Sequence, residues 1–161
     1  MRDENEARRA IETYGDTVRR ICFLNLKNRE DTEDIFQNVF LRFLMCKDTF
    51  QSQEHEKAWM IRVTVNACKD LLKSFYRKNK VPMDAVAEFE SRMTPKSSEL
   101  LNIVLSLPEK YKTPIYLFYF EGYTAIEIGE MTHKNTNTVY TLLSRGKSML
   151  KDKIGVDFIE D

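Results

Sequence analysis

Polar side chains, most of them cationic, recur at helical spacing in the middle of this chain of 161 residues. They are Arg62, Asn66, Lys69, Lys73 and Arg77. At about 100° per residue these positions share one face of a helix. Such cations bind phosphate groups, and an aromatic residue such as Trp59 can stack on an unpaired base. An ordinary solvated surface, with Trp59 in a core, is the alternative interpretation.

A second pattern predicts two helices joined by a sharp turn. Thr124 and Glu127 form a capping box that begins a short helix ending near Thr132. A polar turn over 133–135 and a longer helix over about 136–153 follow. This order is typical of a helix-turn-helix, whose second helix enters the major groove of DNA. The pattern also fits an ordinary α-hairpin.

An acidic strip predicts a protein partner. The second predicted helix begins at Asp31 or Thr32 with acidic first turns, and Gln37, Asn38 and Arg42 continue a polar strip along it. Complementing the helix dipole is by itself a sufficient reason for acidic residues there. A partner with basic residues could nevertheless bind this strip.

The sequence contains no P-loop, G-x-G-x-x-G, H-E-x-x-H or G-x-S-x-G motif. Its two His and three Cys are scattered, without a C-x-x-C pair, so we expect no metal, no cofactor and no enzyme activity. No apolar run approaches the roughly 20 residues of a membrane span, and the charged first residues do not fit a secretory signal. Scattered cysteines fit a reducing cytosol, and we expect a cytoplasmic protein.

Helices must position these groups, because five Gly and four Pro leave little material for hairpin turns. Apolar periodicity predicts helices over about 6–27, from 31 or 32 to a polar connector at 48–56, then over 57–77 and 98–106. Another helix should follow a capping box at Ser106–Glu109 and run to Glu121, with Gly122 as C-cap and Pro114 kinking it or delaying its start. Residues 78–97 lack a firm period and are predicted as a linker. The prediction is an all-α fold of two small helical domains.

The formal net charge of zero is a cancellation between segments. Residues 28–56 carry 3 Lys+Arg against 7 Asp+Glu, whereas residues 57–80 carry 7 against 1. An acidic segment suited to a protein partner therefore precedes a basic segment suited to DNA.

The order of these segments resembles the extracytoplasmic-function (ECF) sigma factors of bacterial RNA polymerase. The resemblance depends on DTEDIFQNVFLRFL, then KAWMIRVTVNACKDLLKSFYRK, then LPEKYKTPIYLFYFEGYTAIEIGEMTHKNTNTVYTLLSRGKSML, and covers about residues 10 to 153. It implies a sigma-2-like domain over 1–80, a linker over 81–97 and a sigma-4-like helix-turn-helix domain over 98–161. The expected function is transcription initiation: the chain binds core RNA polymerase, at its clamp helices and flap, and directs it to promoters by recognising their −10 and −35 elements. An anti-sigma factor is a further expected partner.

The resemblance also implies roles for individual residues. Polymerase binding is expected from Asp34, Gln37 and Asn38. Recognition and melting of the −10 element are expected from Phe50 and the loop after it, with Trp59, Arg62, Asn66, Lys69, Lys73 and Arg77. Contact with the −35 element is expected from Tyr140, Thr141, Ser144, Arg145 and Lys147.

The chain departs from the family's usual residues at several positions. Asn38 replaces a common Glu, Gly146 a usual Ala, and Pro114 a usual helix former. Tyr140 and Leu142 occupy sites where Arg or Lys is frequent, so the −35 contact should be less electrostatic. A stand-alone helix-turn-helix regulator that binds duplex DNA without polymerase is the alternative function, and a protein-interaction module without a DNA role is a third.

Overall fold

The computed structural model of the protein describes residues 1–75 and 95–154. Within these ranges the chain forms helices and no strand, which confirms the predicted all-α class. The helices are α1 (Glu4–Leu26), α2 (Arg29–Met45), α3 (Gln53–Phe75), α4 (Pro95–Leu105), α5 (Glu109–Tyr119), α6 (Ala125–Thr132) and α7 (Thr136–Ile154). They fall into two compact units, within Met1–Val86 and Ala87–Asp161. The domain limits at 80 and 97 stay a prediction.

In the first unit α1, α2 and α3 pack against one another around a shared apolar core. Each helix contributes residues at helical spacing, among them Tyr14 and Val18 from α1, Val39 and Phe43 from α2, and Met60 from α3, all at most 1% exposed. Because three buried faces meet, the opposite faces of α2 and α3 are left for polar side chains.

All three helices of this unit begin earlier than predicted, α1 at Glu4 rather than at about residue 6. α2 begins at Arg29 because the Asn28 side chain accepts a hydrogen bond from the Asp31 N–H at 2.8 Å. α3 begins at Gln53, inside the predicted connector, because Ser52 Oγ accepts from the His55 N–H at 3.1 Å. The connector between α2 and α3 is therefore shorter than the sequence suggests.

In the second unit α7 packs against α4, α5 and α6. Gly146 allows the close approach of α7 to α5, since a Cβ at this position would lie 2.7 Å from both Cγ1 and Cδ1 of Ile115. This close approach explains why Gly146 stands where an Ala is usual.

The start and end of α5 correct the sequence analysis. The predicted capping box at Ser106 is wrong, because Ser106 Oγ donates to the Ile103 carbonyl at 2.6 Å and α5 follows Pro108 without a side-chain cap. α5 ends at Tyr119 rather than at Glu121, and Pro114 lies inside it. α4 begins at Pro95, before the predicted start at 98.

Candidate nucleic-acid interface

The basic face of α3 reaches the surface along its described length. Arg62 and Lys73 are exposed, and Asn66 and Lys69 are half-buried. The opposite side of the helix carries Met60, which is 1% exposed. This division turns the predicted cations away from the core, while Arg77 lies outside the described residues.

Phe50 lies in an aromatic cluster at the end of the α2–α3 connector. Its ring is nearly parallel to that of Phe43, with centroids 6.5 Å apart and planes 12° apart. Its centroid lies 5.7 Å from that of Trp59 and 5.4 Å from that of His55, whose ring is almost perpendicular to it. Phe50 and Trp59 are both only half-buried, although they pack against the core of the unit. The cluster is therefore anchored on the core while its rings stay partly accessible, an arrangement that suits stacking on an unpaired nucleobase.

Hydrogen bonds at the start of α3 hold the connector next to this cluster. The Gln51 N–H donates to His55 Nδ1 at 3.3 Å, and the Glu56 N–H donates to the Ser52 carbonyl at 3.1 Å. His55 thus contacts the Phe50 ring and the connector backbone together, a role that the sequence did not predict because it depends on a local turn.

A buried carboxylate fixes the start of α3 against α1. Glu56 accepts from both terminal nitrogens of Arg9, at 2.9 and 3.1 Å, and from the Tyr14 hydroxyl at 2.7 Å. Burial raises the pKa of Glu56, but hydrogen bonds from Arg9 and Tyr14 outweigh it, so its pKa is lowered from the usual value. Burial and the hydrogen bond to Glu56 raise the pKa of Tyr14. This group was not predicted from the sequence, because Glu56 is 42 residues from Tyr14 and 47 residues from Arg9.

The acidic strip of α2 is divided between internal and solvent-facing groups. Glu33 bonds to Arg19 at 3.0 Å, and the Arg19 guanidinium lies 3.9 Å from the Phe36 ring centroid. Asp34, Gln37 and Asn38 are all exposed. Glu33 therefore joins α2 to α1, and the three predicted polymerase contacts face solvent.

The start of α6 has the predicted capping box, and a sharp turn joins α6 to α7. Thr124 N–H donates to Glu127 Oε1 at 2.9 Å, and Glu127 N–H donates to Thr124 Oγ1 at 3.2 Å. His133 ends α6 in the left-handed region, with φ 58°. A Cβ at Gly129 would lie 2.6 Å from the Lys134 carbonyl oxygen, so the tight turn requires glycine there.

The solvent-facing side of α7 carries the predicted recognition residues. Tyr140, Thr141, Ser144 and Arg145 are exposed and Lys147 is half-buried, whereas Val139 and Leu142 on the other side are buried. Asn137 and Thr138, in the first turn, are exposed too and were not singled out from the sequence. The exposed start of a second helix is the part that reads base edges in a helix-turn-helix.

Neither a candidate metal site nor a candidate membrane span is present in the described ranges. Within residues 1–75 and 95–154, no group of three or more His, Cys, Asp and Glu is placed to hold a metal ion. In the same ranges no helix has the length and apolar character to span a membrane.

Comparison with known proteins gives the family. The family model Sigma-70 region 2 matches residues 10–79, and Sigma-70, region 4, matches residues 97–150. The RNA polymerase sigma factor SigV of Bacillus subtilis (strain 168) is 33% identical over 135 residues, covering 82% of this chain and 81% of SigV. The ECF RNA polymerase sigma factor SigW of the same organism is 27% identical over 166 residues, covering 89% of this chain and 86% of SigW. The chain belongs to the ECF sigma factors.

Two solved structures agree with this ECF sigma factor in fold. The sigma factor RpoE from Bartonella quintana, solved in complex with the anti-sigma factor NepR, has a TM-score of 0.71 at 14% identity, covering 93% of this chain and 97% of RpoE. CnrH, solved with the cytosolic domain of CnrY, has a TM-score of 0.66 at 16% identity, covering 94% of this chain and 89% of CnrH.

As an ECF sigma factor, the chain is a transcription initiation factor that binds core RNA polymerase and promoter DNA. It directs the polymerase to promoters, so the leading prediction from the sequence is confirmed over the stand-alone regulator.

Proposed function

We propose that the chain divides promoter recognition between a domain over 1–80, which binds the polymerase clamp helices and opens the −10 element, and a domain over 98–161, which binds the −35 element and the flap. Residues 81–97 would act as the linker. The proposal is supported by the two compact units and by the two family matches, one in each.

The main support for the melting role is that the aromatic cluster is continuous with the basic face of α3. Trp59 and Asn66 are seven residues apart on α3, so they lie on the same side two turns apart, with Arg62 between them. Arg62, Lys69 and Lys73 hold backbone phosphates, with Arg77 continuing the face in sequence, while Phe50, Trp59 and Asn66 receive an unstacked −10 base. Binding energy of this kind offsets the few kcal/mol that unstacking a base costs.

The other two contacts use exposed helix faces. Asp34, Gln37 and Asn38 on α2 bind basic residues of the clamp helices. The recognition face of α7 binds the −35 element through Arg145 and Lys147, with Tyr140, Thr141 and Ser144 supplying apolar and hydroxyl contacts. Since this face carries few cations, its hold on phosphates is weak in the isolated chain.

The test is transcription by Bacillus subtilis core polymerase with this chain, on a template library with randomised −35 and −10 elements. Each template carries a transcribed barcode, so that sequencing the transcripts identifies the preferred promoter, which then serves as the probe for variants. Arg62→Ala and Lys73→Ala should each reduce promoter opening and lower the salt dependence by about one counterion. Arg8→Ala, an exposed cation on α1 that pairs with Glu4 at 2.9 Å, is the matched control.

Two results would defeat the proposal. Failure of the chain to capture core polymerase in a pull-down would contradict the proposed polymerase contacts. Normal promoter opening by the Arg62→Ala and Lys73→Ala variants would contradict a role for the basic face of α3 in melting.

We further infer that the chain has no catalytic activity of its own, acts in the cytoplasm with polymerase, and is held by an anti-sigma factor. Membership of the sigma family supports the first two statements, and the RpoE–NepR complex supports the third. Affinity purification of the tagged chain from its native cells should recover a stoichiometric partner in place of core polymerase. Recovery of core polymerase alone under all growth conditions would argue against such a partner.

A further inference from the structure

Arg2, just before α1, has a partner for each nitrogen of its guanidinium. Nε donates to the Phe43 carbonyl at 3.0 Å, Nη2 donates to the Asp48 carbonyl at 2.6 Å, and Nη1 lies 3.8 Å from Glu6 Oε2. The side chain is 16% exposed. With its nitrogens occupied and little surface open, this cation is built to hold protein groups rather than a DNA phosphate.

The same side chain covers the aromatic cluster. Its guanidinium carbon lies 4.5 Å from the Phe43 ring centroid and 5.4 Å from that of Phe50. The Arg2 backbone N–H also donates to the Leu44 carbonyl at 3.0 Å. Because the last carbonyls of a helix lack partners within it and carry partial negative charge, these contacts stabilise the end of α2.

Apart from the contacts of the Phe50 ring with Phe43, Trp59 and His55, the segment 46–52 between α2 and α3 lies largely at the surface. Lys47, Asp48, Thr49 and Gln51 are exposed, and Phe50 is only half-buried. Arg2 holds this segment at its beginning, through the Asp48 carbonyl, and His55 and Ser52 hold its end. The backbone that carries the Phe50 ring is therefore held in part by Arg2, a contact from outside the segment.

We propose that Arg2 is a positioning residue for promoter opening: it holds the segment 46–52 in the conformation in which Phe50 receives the unstacked −10 base. The inference rests on the proposed role of Phe50. Without Arg2 the segment samples other conformations, and the fraction competent to capture a base falls.

The experiment measures opening of the selected promoter by the assembled holoenzyme, with 2-aminopurine in the −10 element. We expect Arg2→Ala to lower the equilibrium constant for opening by about five- to thirtyfold, the factor that corresponds to about 1–2 kcal/mol. Arg2→Lys should recover only part, because an ammonium cannot bond two carbonyls and cover both rings with the same geometry. Arg8→Ala should open the promoter as the unchanged chain does, and core polymerase binding and thermal unfolding report the structural cost separately.

A double-mutant cycle with Phe50→Ala separates positioning from general stability. If Arg2 acts through Phe50, Arg2→Ala adds little to the loss caused by Phe50→Ala. Full additivity, normal opening by Arg2→Ala, or a loss explained by weaker core polymerase binding or by unfolding would each overturn the inference. A defect in Phe50→Ala with none in Arg2→Ala leaves the proposed function intact, whereas normal opening by Phe50→Ala removes the role of Phe50 itself.

Discussion

Replacing Glu56 with Gln should destabilise the first unit. The carboxylate receives three hydrogen bonds, two from Arg9 and one from Tyr14, and its side chain is 12% exposed. A glutamine offers only one acceptor oxygen, and its NH2 group cannot accept a hydrogen bond from the Arg9 guanidinium. Since the bonds join α1 to the first turn of α3, their loss weakens a tertiary contact.

The expected loss is about 2 kcal/mol in the free energy of unfolding, toward the lower end of the about 1.5–3 kcal/mol found for a hydrogen bond to a charged group. The lower end applies because the Arg9 side chain is 48% exposed, and water screens its interaction with Glu56. For a unit of this size, such a loss corresponds to a fall of about 8–16 °C in Tm.

Urea unfolding followed by Trp59 fluorescence measures this loss, since Trp59 is the single tryptophan of the chain and lies in the first unit. Glu54→Gln is the matched control: Glu54 is exposed, lies in the same first turn of α3, and loses the same charge. A Glu56→Gln variant as stable as Glu54→Gln would refute the reasoning.

The pH dependence of stability tests independently whether the charged form of Glu56 is the stabilising one. Because the pKa of Glu56 is lowered from its ordinary value of 4.5, its contribution is present in full above that pH and is lost as pH falls through the folded-state pKa. The stability difference between the unchanged chain and Glu56→Gln should therefore narrow in acid. A difference that stays constant below pH 4.5 would contradict the assignment of the effect to the charged carboxylate.

Three further changes test other parts of the fold and interface. Gly146→Ala gains about 1 kcal/mol of helix propensity, but the new Cβ meets Ile115, and overpacking of this kind costs about 1–3 kcal/mol. Circular dichroism should therefore show that the second unit is destabilised, while the unfolding transition followed by Trp59 fluorescence is unchanged. An added Ile115→Val should recover part of the lost stability. Thr124→Ala removes the capping box with Glu127 and should speed amide exchange in α6, with a loss of about 1 kcal/mol; unchanged exchange would deny the cap a role in stability. Asn38→Glu should strengthen core polymerase binding, by up to about fivefold and more at low salt, and an unchanged affinity would mean that this position meets no cation.

Periodicity predicts where the helices lie but not where they begin. The cores of α1, α3 and α7 follow apolar repeats, which the sequence shows directly. The starts of α2 and α3 depend instead on hydrogen bonds that the side chains of Asn28 and Ser52 accept from backbone N–H groups. These bonds extend the helices into polar runs that the sequence suggests are connectors. The Thr124 capping box was predictable because all of its partners lie within four residues.

Contacts between distant residues were beyond sequence reasoning. Nothing near Glu56 indicates that it meets Arg9 and Tyr14, and nothing near Arg2 indicates that it covers Phe50. The candidate DNA contacts were accessible to prediction because helical spacing gathers them on faces of α3 and α7. What those faces bind, residue by residue, stays a prediction that the variants above test.

The arrangement of charge explains why DNA affinity should depend on polymerase. On the described part of α3 the exposed cations are Arg62 and Lys73, and on the recognition face of α7 Arg145 is exposed. Few phosphate contacts in each unit give weak binding and a shallow salt dependence for either unit alone. When core polymerase holds the sigma factor and one of its units is bound to the promoter, binding of the other unit becomes intramolecular. The effective concentration for such a step is about the millimolar range. The isolated chain should therefore bind promoter duplex weakly, and the assembled holoenzyme should bind it far more tightly without any new contact from the sigma factor.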